Sequence, residues 1–209
     1  MGNGLLPGPV NGPGSPDLDE GTLPRAGTPL PGSIGLDAKG GGKNAPQPSM
    51  SDRVLAFARQ RRGQAHGNGE CFTLADGALR NAGAKSAADF GQVTPDADYV
   101  WGTAVTRTDL RPGDVIQMRD YHVEVNSTTE HPDGSADIDT REEERPHHTA
   151  IVESIGTNGR VTVLEQNFPV GQGVTRHVLH LTSTTYSSGS TTTQVAVRGT
   201  FWFYRPEAR

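Results

Sequence analysis

Residues 63–79 read GQAHGNGECFTLADGAL, a glycine-rich loop that runs into an apolar pattern with the only cysteine of the chain, Cys71, at the junction. From that cysteine, apolar side chains recur at residues 71, 74, 75, 78 and 79, which is the spacing of one buried helix stripe. The Asn-Ala-Gly at residues 81–83 is typical of a helix end. The stretch therefore predicts a helix that begins at Cys71.

The position of Cys71 favours a nucleophile. A thiolate at a helix start faces the positive end of the helix dipole and free backbone N–H groups, which lower the pKa of a thiol. The same N–H groups can receive an oxyanion, and Gly67 and Gly69 let a substrate approach the backbone closely. The alternative is that Cys71 is an inert, buried, small hydrophobic side chain, as many lone cysteines are.

A base for this thiol is predicted in residues 148–167, which read HTAIVESIGTNGRVTVLEQN. Two β-runs flank a Gly-Thr-Asn-Gly turn, which indicates a hairpin. His148 begins the first run on the same face as Ala150 and Val152, while Glu165 and Asn167 end the second. We therefore expect His148 to be the base and either Glu165 or Asn167 to orient its ring, and both alternatives stay open.

The other patterns predict an α+β order, with helices first and an antiparallel sheet after them. Ser51 is expected to cap a first helix that stops near Gly63. Residues 99–102 form a short apolar run, and 115–118, 174–181 and 194–204 read as strands. The polar residues 119–146 predict an exposed hairpin or long loop, and 182–193 a loop. Two further predictions are that Trp101 and Trp202 pack in the core and that His147 is a solvated loop-end residue.

Composition divides the chain into an arm and a domain. The first 50 residues contain 12 Gly, 9 Pro and no aromatic residue, whereas all 12 aromatic residues lie from Phe57 onward. Such a segment buries too little apolar surface to offset its ordering entropy. The sequence therefore predicts a disordered Gly/Pro-rich arm at residues 1–50 and one domain at residues 51–209.

Charge and hydropathy argue against several classes of partner. The net charge of −5 disfavours nucleic acid and anionic membranes, and there is no apolar run of transmembrane length. The amino terminus lacks the basic and apolar regions of a secretory signal peptide, so we expect a cytoplasmic protein or one exported by a dedicated machine. The acidic residues near 137–144 have no metal-ligand spacing and are read as a solvated face. No metal or cofactor is expected.

Four short sequence motifs, in their order along the chain, resemble the motifs of the CHAP and NlpC-type amidohydrolase and peptidase families. They are GECFTLA at 69–75, LRPGDVI at 110–116, HTAIV at 148–152 and VLEQN at 163–167. The resemblance implies a papain-like fold and a cysteine amidase or peptidase with a Cys71, His148 and Glu165 or Asn167 triad. Two positions depart from the CHAP pattern, because Glu70 stands where Gln is common and His147 stands where Gly is common.

Further short motifs resemble those of the cysteine-proteinase-fold domain of fungal actin-patch proteins and its bacterial relatives. These are YVWG at 99–102, GDVIQ at 113–117, LEQN at 164–167 and FYRP at 203–206, so this resemblance spans about residues 63–206. It implies the same fold. Because some members of that family are not catalytic, it also implies that a non-catalytic role stays open for this domain.

The function expected from these patterns is a thiol hydrolase that cleaves an amide bond in a peptide or in peptidoglycan. One alternative is a non-catalytic interaction domain whose Pro-rich segment at residues 24–31 binds a partner protein. Another is a thiol-dependent transferase or deamidase effector, because hydrolysis and transfer share the acyl-enzyme. The patterns give neither the substrate nor the oligomeric state.

Overall fold

The computed structural model describes residues 47–209, and in this part of the chain two helices precede a seven-stranded antiparallel sheet. The predicted arm lies outside the described residues, apart from its last four positions. The helices are α1 (Met50–Gln60) and α2 (Cys71–Asn81), with short 3-10 helices at Ala87–Asp89 and Arg107–Asp109. The strands are β1 (Thr103–Val105), β2 (Val115–Glu130), β3 (Ala136–Ile155), β4 (Arg160–Glu165), β5 (Thr175–His180), β6 (Thr184–Ser188) and β7 (Thr191–Arg205).

Helix α1 begins two residues earlier than predicted, because Ser49 and not Ser51 is its N-cap. The Ser49 hydroxyl accepts a hydrogen bond from the backbone N–H of Asp52 at 3.1 Å, and the Asp52 carboxylate accepts one from the Ser49 N–H at 2.9 Å. This reciprocal capping box needs an acid three residues after the cap. Ser49 has Asp52 at that spacing, whereas Ser51 has Val54.

Helix α2 has the predicted bounds and the predicted buried stripe. Leu74, Ala75, Ala78 and Leu79 are all buried. The helix is capped at Ala82, and Gly83 follows with a φ of +76°, a conformation that favours glycine. The periodicity of small and apolar residues was sufficient to predict this helix because α2 buries a single face.

The strand order is β1-β7-β2-β3-β4-β5, with β6 added on β7, and every pairing is antiparallel. Residues 119–146 form a long hairpin about a turn at residues 131–135, so the hairpin prediction is confirmed and the loop alternative is wrong. The segment is not wholly exposed either. Three of its side chains are buried, those of Tyr121, Val123 and Arg145. The many charged residues around them hide the alternation of buried and exposed positions in the sequence.

The short apolar run at residues 99–102 precedes the sheet, and β1 begins at Thr103. One edge of the sheet differs from the prediction. The stretch 182–193, predicted as a loop, contains β6 and its hairpin turn into β7. A short strand rich in Ser and Thr at the edge of a sheet buries few apolar side chains, so it lacks the alternation by which strands are recognised.

The sheet has a hydrophobic core on each face, and strand alternation distributes the side chains between them. Ile151 and Leu164 pack with both helices, whereas Ala150, Val152 and Val163 pack in a second cluster on the other face. Trp101 is fully buried in the first cluster and Trp202 packs against it, which confirms their predicted core role.

The β3–β4 hairpin fixes the register that matters for the site. Ile151 pairs with Leu164, and continuing this register places Ala150 opposite Glu165. His148, two residues before Ala150, is then the diagonal neighbour of Glu165 on the same face of the sheet. Diagonal pairs in an antiparallel sheet lie within reach of long side chains. The hairpin therefore brings an imidazole and a carboxylate together beside the start of α2. No helix among residues 47–209 is long and apolar enough to cross a membrane.

Candidate active site

Cys71 is the first residue of α2 and follows a loop whose glycines have left-handed backbone angles. Gly67 has a φ of +61°, and a Cβ atom there would collide with the side chain of Thr73. The loop is thus shaped by glycine for both conformation and space. The first N–H groups of a helix have no acceptor within the helix, so the N–H of Cys71 remains available to a ligand.

Gln166 holds this loop against the end of β4. Its side-chain oxygen accepts from the backbone N–H of His66 at 2.9 Å, and its amide nitrogen donates to the His66 carbonyl at 3.0 Å and the Glu70 carbonyl at 2.6 Å. Gln166 is fully buried. A buried amide with its hydrogen bonds satisfied fixes the relative position of the two segments that it joins, here the Cys71 loop and the strand that ends in Glu165.

His148 lies buried between Cys71 and Glu165. Its Nε2 atom is 2.8 Å from Oε2 of Glu165, an ion pair whose geometry is not that of a hydrogen bond. The imidazole also lies close enough to the Cys71 thiol for each group to shift the pKa of the other. Since Nε2 faces the carboxylate, Nδ1 is the ring nitrogen left for the thiol.

Burial and charge act in opposite directions on this pair. Burial disfavours the imidazolium, but the close contacts with Cys71 and Glu165 and the charges of these groups outweigh it and raise the pKa of His148 to about 9. Burial likewise disfavours the thiolate, yet His148 and the backbone N–H groups of Thr149 and Phe72 lower the pKa of Cys71 below its ordinary value. Both shifts favour a thiolate beside an imidazolium.

Glu165 is fully buried and carries three cationic or titratable partners. Arg145 donates to both of its oxygens, at 2.7 Å and 3.1 Å, and Nδ1 of His177 lies 2.7 Å from Oε1. Although burial raises the pKa of a carboxyl, the bonds from His148, His177 and Arg145 hold the pKa of Glu165 far below its usual range. Glu165 is therefore ionised where it touches His148.

Arg145 and His177 are site residues that the sequence reasoning missed. Arg145 lies within the acidic run of β3, and its side chain is fully buried. Its guanidinium stacks 3.5 Å from the centroid of the Phe168 ring, which also packs edge-on against His148 and His177. A single buried arginine in a charged segment gives no periodic pattern in the sequence, so Arg145 could not be predicted. For His177, strand alternation could have predicted on which face of the sheet its side chain lies.

Asn167, the second residue expected to orient His148, is placed elsewhere. Its side-chain nitrogen donates to a Glu70 carboxylate oxygen at 2.9 Å, and its oxygen accepts from the backbone N–H of Gly171 at 2.7 Å. Strand β4 ends at Glu165, and Asn167 has a φ of +64°, so strand alternation does not extend to it. Of the two candidates, Glu165 contacts His148, whereas Asn167 bonds to Glu70 and to the loop at Gly171.

His147 is not the solvated loop-end residue that the sequence predicts. It lies inside β3, and its Nε2 is 2.9 Å from the carbonyl of Ala97 and 3.0 Å from the side-chain nitrogen of Gln117. Gln117 is buried and accepts from Trp101 and Thr149. Because adjacent strand residues point to opposite faces, His147 lies on the face away from Glu165 and contributes to the wall of a cleft.

The cleft beside Cys71 has a volume of about 370 Å³. Its lining combines the start of α2 with the segment that precedes β1 and one strand residue; the residues are Asn68, Glu70, Cys71, Phe72, Thr73, Val93, Thr94, Pro95, Tyr99 and His147. The size is at the lower end of the range for ligand pockets. A thiol at the edge of such a cleft can meet a substrate that enters from solvent.

The described residues contain no group of three or more His, Cys, Asp or Glu side chains that could hold a metal ion. The acidic segment of β3, including Asp137 and Asp139, is exposed, as a solvated face would be.

A family model described as the AIM3/BBC1 cysteine proteinase-fold domain matches residues 45–207. No curated protein and no solved structure matches the chain.

Proposed function

Because the chain belongs to the AIM3/BBC1 cysteine proteinase-fold family, we propose that its domain is a thiol hydrolase that cleaves an amide bond. Cys71 is the nucleophile, His148 is the acid and base, and Glu165 orients and charges the imidazole. One observation carries the proposal: a buried histidine lies between the only thiol of the chain and a buried, ionised carboxylate. This is the arrangement of nucleophile, base and orienting acid that thiol catalysis requires.

The proton of the pair rests on the imidazole. The pKa of Cys71 lies below its ordinary value, while the pKa of His148 is about 9. Titration of such a pair belongs to both groups together, and the direction of both shifts favours thiolate and imidazolium. A thiol whose pKa is lowered in this way is ionised in a larger fraction of molecules than an ordinary thiol, which favours attack by the thiolate.

Catalysis follows from this resting state. The Cys71 sulfur forms a bond to the substrate carbonyl carbon, and the carbonyl electron pair moves to oxygen. The backbone N–H of Cys71 at the start of α2 faces that developing oxyanion. His148 gives its proton to the amine as the C–N bond breaks, which leaves a thioester. Water then attacks with His148 as the base, and the acid product and the thiol pair are restored.

The substrate class follows from the family analogy and from the cleft. A cleft of this size beside Cys71 accommodates an amino acid side chain or a short peptide segment, in keeping with a peptide or a peptidoglycan cross-bridge as substrate. Acyl transfer and deamidation use the same thioester and differ only in what attacks or leaves. We place hydrolysis first because water needs no second binding site.

A second candidate is a protein-interaction domain of the same fold. The Pro-rich segment at residues 24–31, which lies outside the described residues, favours it, since polyproline segments are ligands of aromatic-lined grooves. Under this candidate function, the domain contains Cys71 and His148 but does not turn over a substrate. The two candidates differ in whether a thioester forms and is hydrolysed.

Turnover of p-nitrophenyl acetate separates the two candidates. We expect the wild-type protein to release one nitrophenolate per Cys71 in a burst and then to continue at a steady rate, with an acetyl thioester visible by mass spectrometry. Cys71→Ser is expected to lose both phases. Equal release by wild type and Cys71→Ser would exclude the thiol as a nucleophile, and a burst without turnover would favour the interaction domain.

A further inference from the structure

The cleft beside Cys71 is apolar along most of its wall. Phe72 and Tyr99 pack with their ring centroids 4.9 Å apart, and Val93 and Pro95 add aliphatic surface. Val93 is a large apolar side chain left exposed to solvent. A wall of this kind binds the hydrocarbon part of a ligand.

Besides Cys71, the wall contains one acidic side chain, the exposed Glu70. Asn167 donates to one oxygen of the Glu70 carboxylate, and Asn167 is itself held by the backbone of Gly171. Among residues 47–209 the other oxygen of Glu70 has no hydrogen-bond partner and no cation pairs with this carboxylate. The exposed carboxylate thus has one contact, to Asn167, and remains free to bind a ligand.

Nearby groups do not neutralise the cleft. Arg119 is paired with Asp98 at 2.8 Å and donates to the backbone carbonyl of Asp96, so it does not reach Glu70. The Nε2 atom of His147 is occupied by Gln117 and the Ala97 carbonyl. Among residues 47–209 no arginine or lysine lines the cleft, so no basic side chain of the wall neutralises the Glu70 carboxylate.

We propose that this cleft selects a substrate group with an aliphatic stem and a terminal cation, such as a lysine or arginine side chain, and that Glu70 is the residue that sets this specificity. The proposal rests on the proposed function and deepens it by naming the substrate class. Long cationic side chains place their methylene groups on apolar surface and their charge at a polar rim, which matches the wall and Glu70. The faces of Phe72 and Tyr99 also favour a cation.

Three methanethiosulfonates test the proposal without a known substrate: the cationic aminoethyl reagent, the anionic sulfonatoethyl reagent and the neutral methyl reagent. In each reaction the Cys71 thiolate attacks the sulfenyl sulfur, a mixed disulfide forms, and methanesulfinate leaves. We expect wild type to prefer the cationic to the anionic reagent, and Glu70→Gln to reduce that rate ratio by about tenfold, as Coulomb interaction over several ångströms in water predicts. Glutamine keeps an acceptor for Asn167, so the loop is preserved.

The control is Glu130→Gln, which removes the same charge at the far end of β2. It should leave the ratio of cationic to anionic rates unchanged. A ratio that is the same in wild type and Glu70→Gln, or that falls equally in Glu130→Gln, would overturn the proposal. The neutral reagent reports the reactivity of the thiol separately: if His148→Ala does not slow it, the proposed function fails, whereas the charge ratio still decides the role of Glu70.

Discussion

Replacement of Arg145 by alanine should lower the free energy of unfolding by about 3–5 kcal/mol, the cost of breaking a buried ion pair. Arg145 and Glu165 are both fully buried, and two hydrogen bonds join them. Without the guanidinium, the Glu165 carboxylate would remain in the interior with only two histidines as partners, and the stacking on Phe168 would be lost. Urea unfolding followed by tryptophan fluorescence measures the change.

Arg141→Ala is the matched control, because Arg141 lies on the same strand but is more than half exposed and pairs with Glu143 at 3.5 Å. An exposed pair of this kind contributes about 0–1 kcal/mol. If both variants lose the same small free energy, Arg145 does not carry the buried network that we describe. The free energy of unfolding of a Glu165→Gln variant provides a second comparison, because glutamine keeps the shape of the carboxylate while it removes the charge that Arg145 faces.

Loss of the His148 imidazole should slow alkylation of Cys71 by iodoacetamide at pH 6 by at least about tenfold. The reason is that a thiol of ordinary pKa, about 8.5, is ionised in roughly one molecule in 300 at that pH. In the native protein His148 lowers the pKa of Cys71, so a larger fraction reacts as thiolate. The rate constant for His148→Ala relative to wild type gives the effect directly.

His131→Ala is the control for this comparison, since His131 lies in the hairpin turn and contacts Asp137 at 2.9 Å. Its alkylation rate should equal that of wild type. Circular dichroism of His148→Ala checks that the fold is retained. An unchanged rate in a folded His148→Ala protein would mean that the imidazole does not ionise the thiol.

Local sequence patterns predicted the parts of the site that local rules build. Cys71 at the start of α2 followed from the spacing of apolar residues, and the β3–β4 hairpin followed from alternation about a Gly-Thr-Asn-Gly turn. His148 and Glu165 then came within reach because an antiparallel hairpin has a fixed register. These features depend on neighbours in the chain, which is why a single sequence contains them.

The features that the sequence did not predict depend on distant contacts. Arg145 lies in a run of acidic residues, and only the folded sheet shows that it is buried against Glu165 and Phe168. Asn167 bonds to Glu70 and not to His148 because the strand ends two residues before it, and the bounds of strands are poorly marked in sequence. The position of Gln166 between the Cys71 loop and β4 likewise requires the packed structure.

The charge state of Cys71 is the central claim, and the ultraviolet absorbance of the thiolate tests it most directly. The measurement is the pH-dependent absorbance difference between wild type and Cys71→Ser, which isolates the single thiol of the chain. The structure predicts that the thiolate signal develops at a pH below the ordinary thiol pKa of about 8.5, because His148 lowers the pKa of Cys71. A signal that first develops near that ordinary pKa would contradict the thiolate–imidazolium pair and, with it, the proposed function.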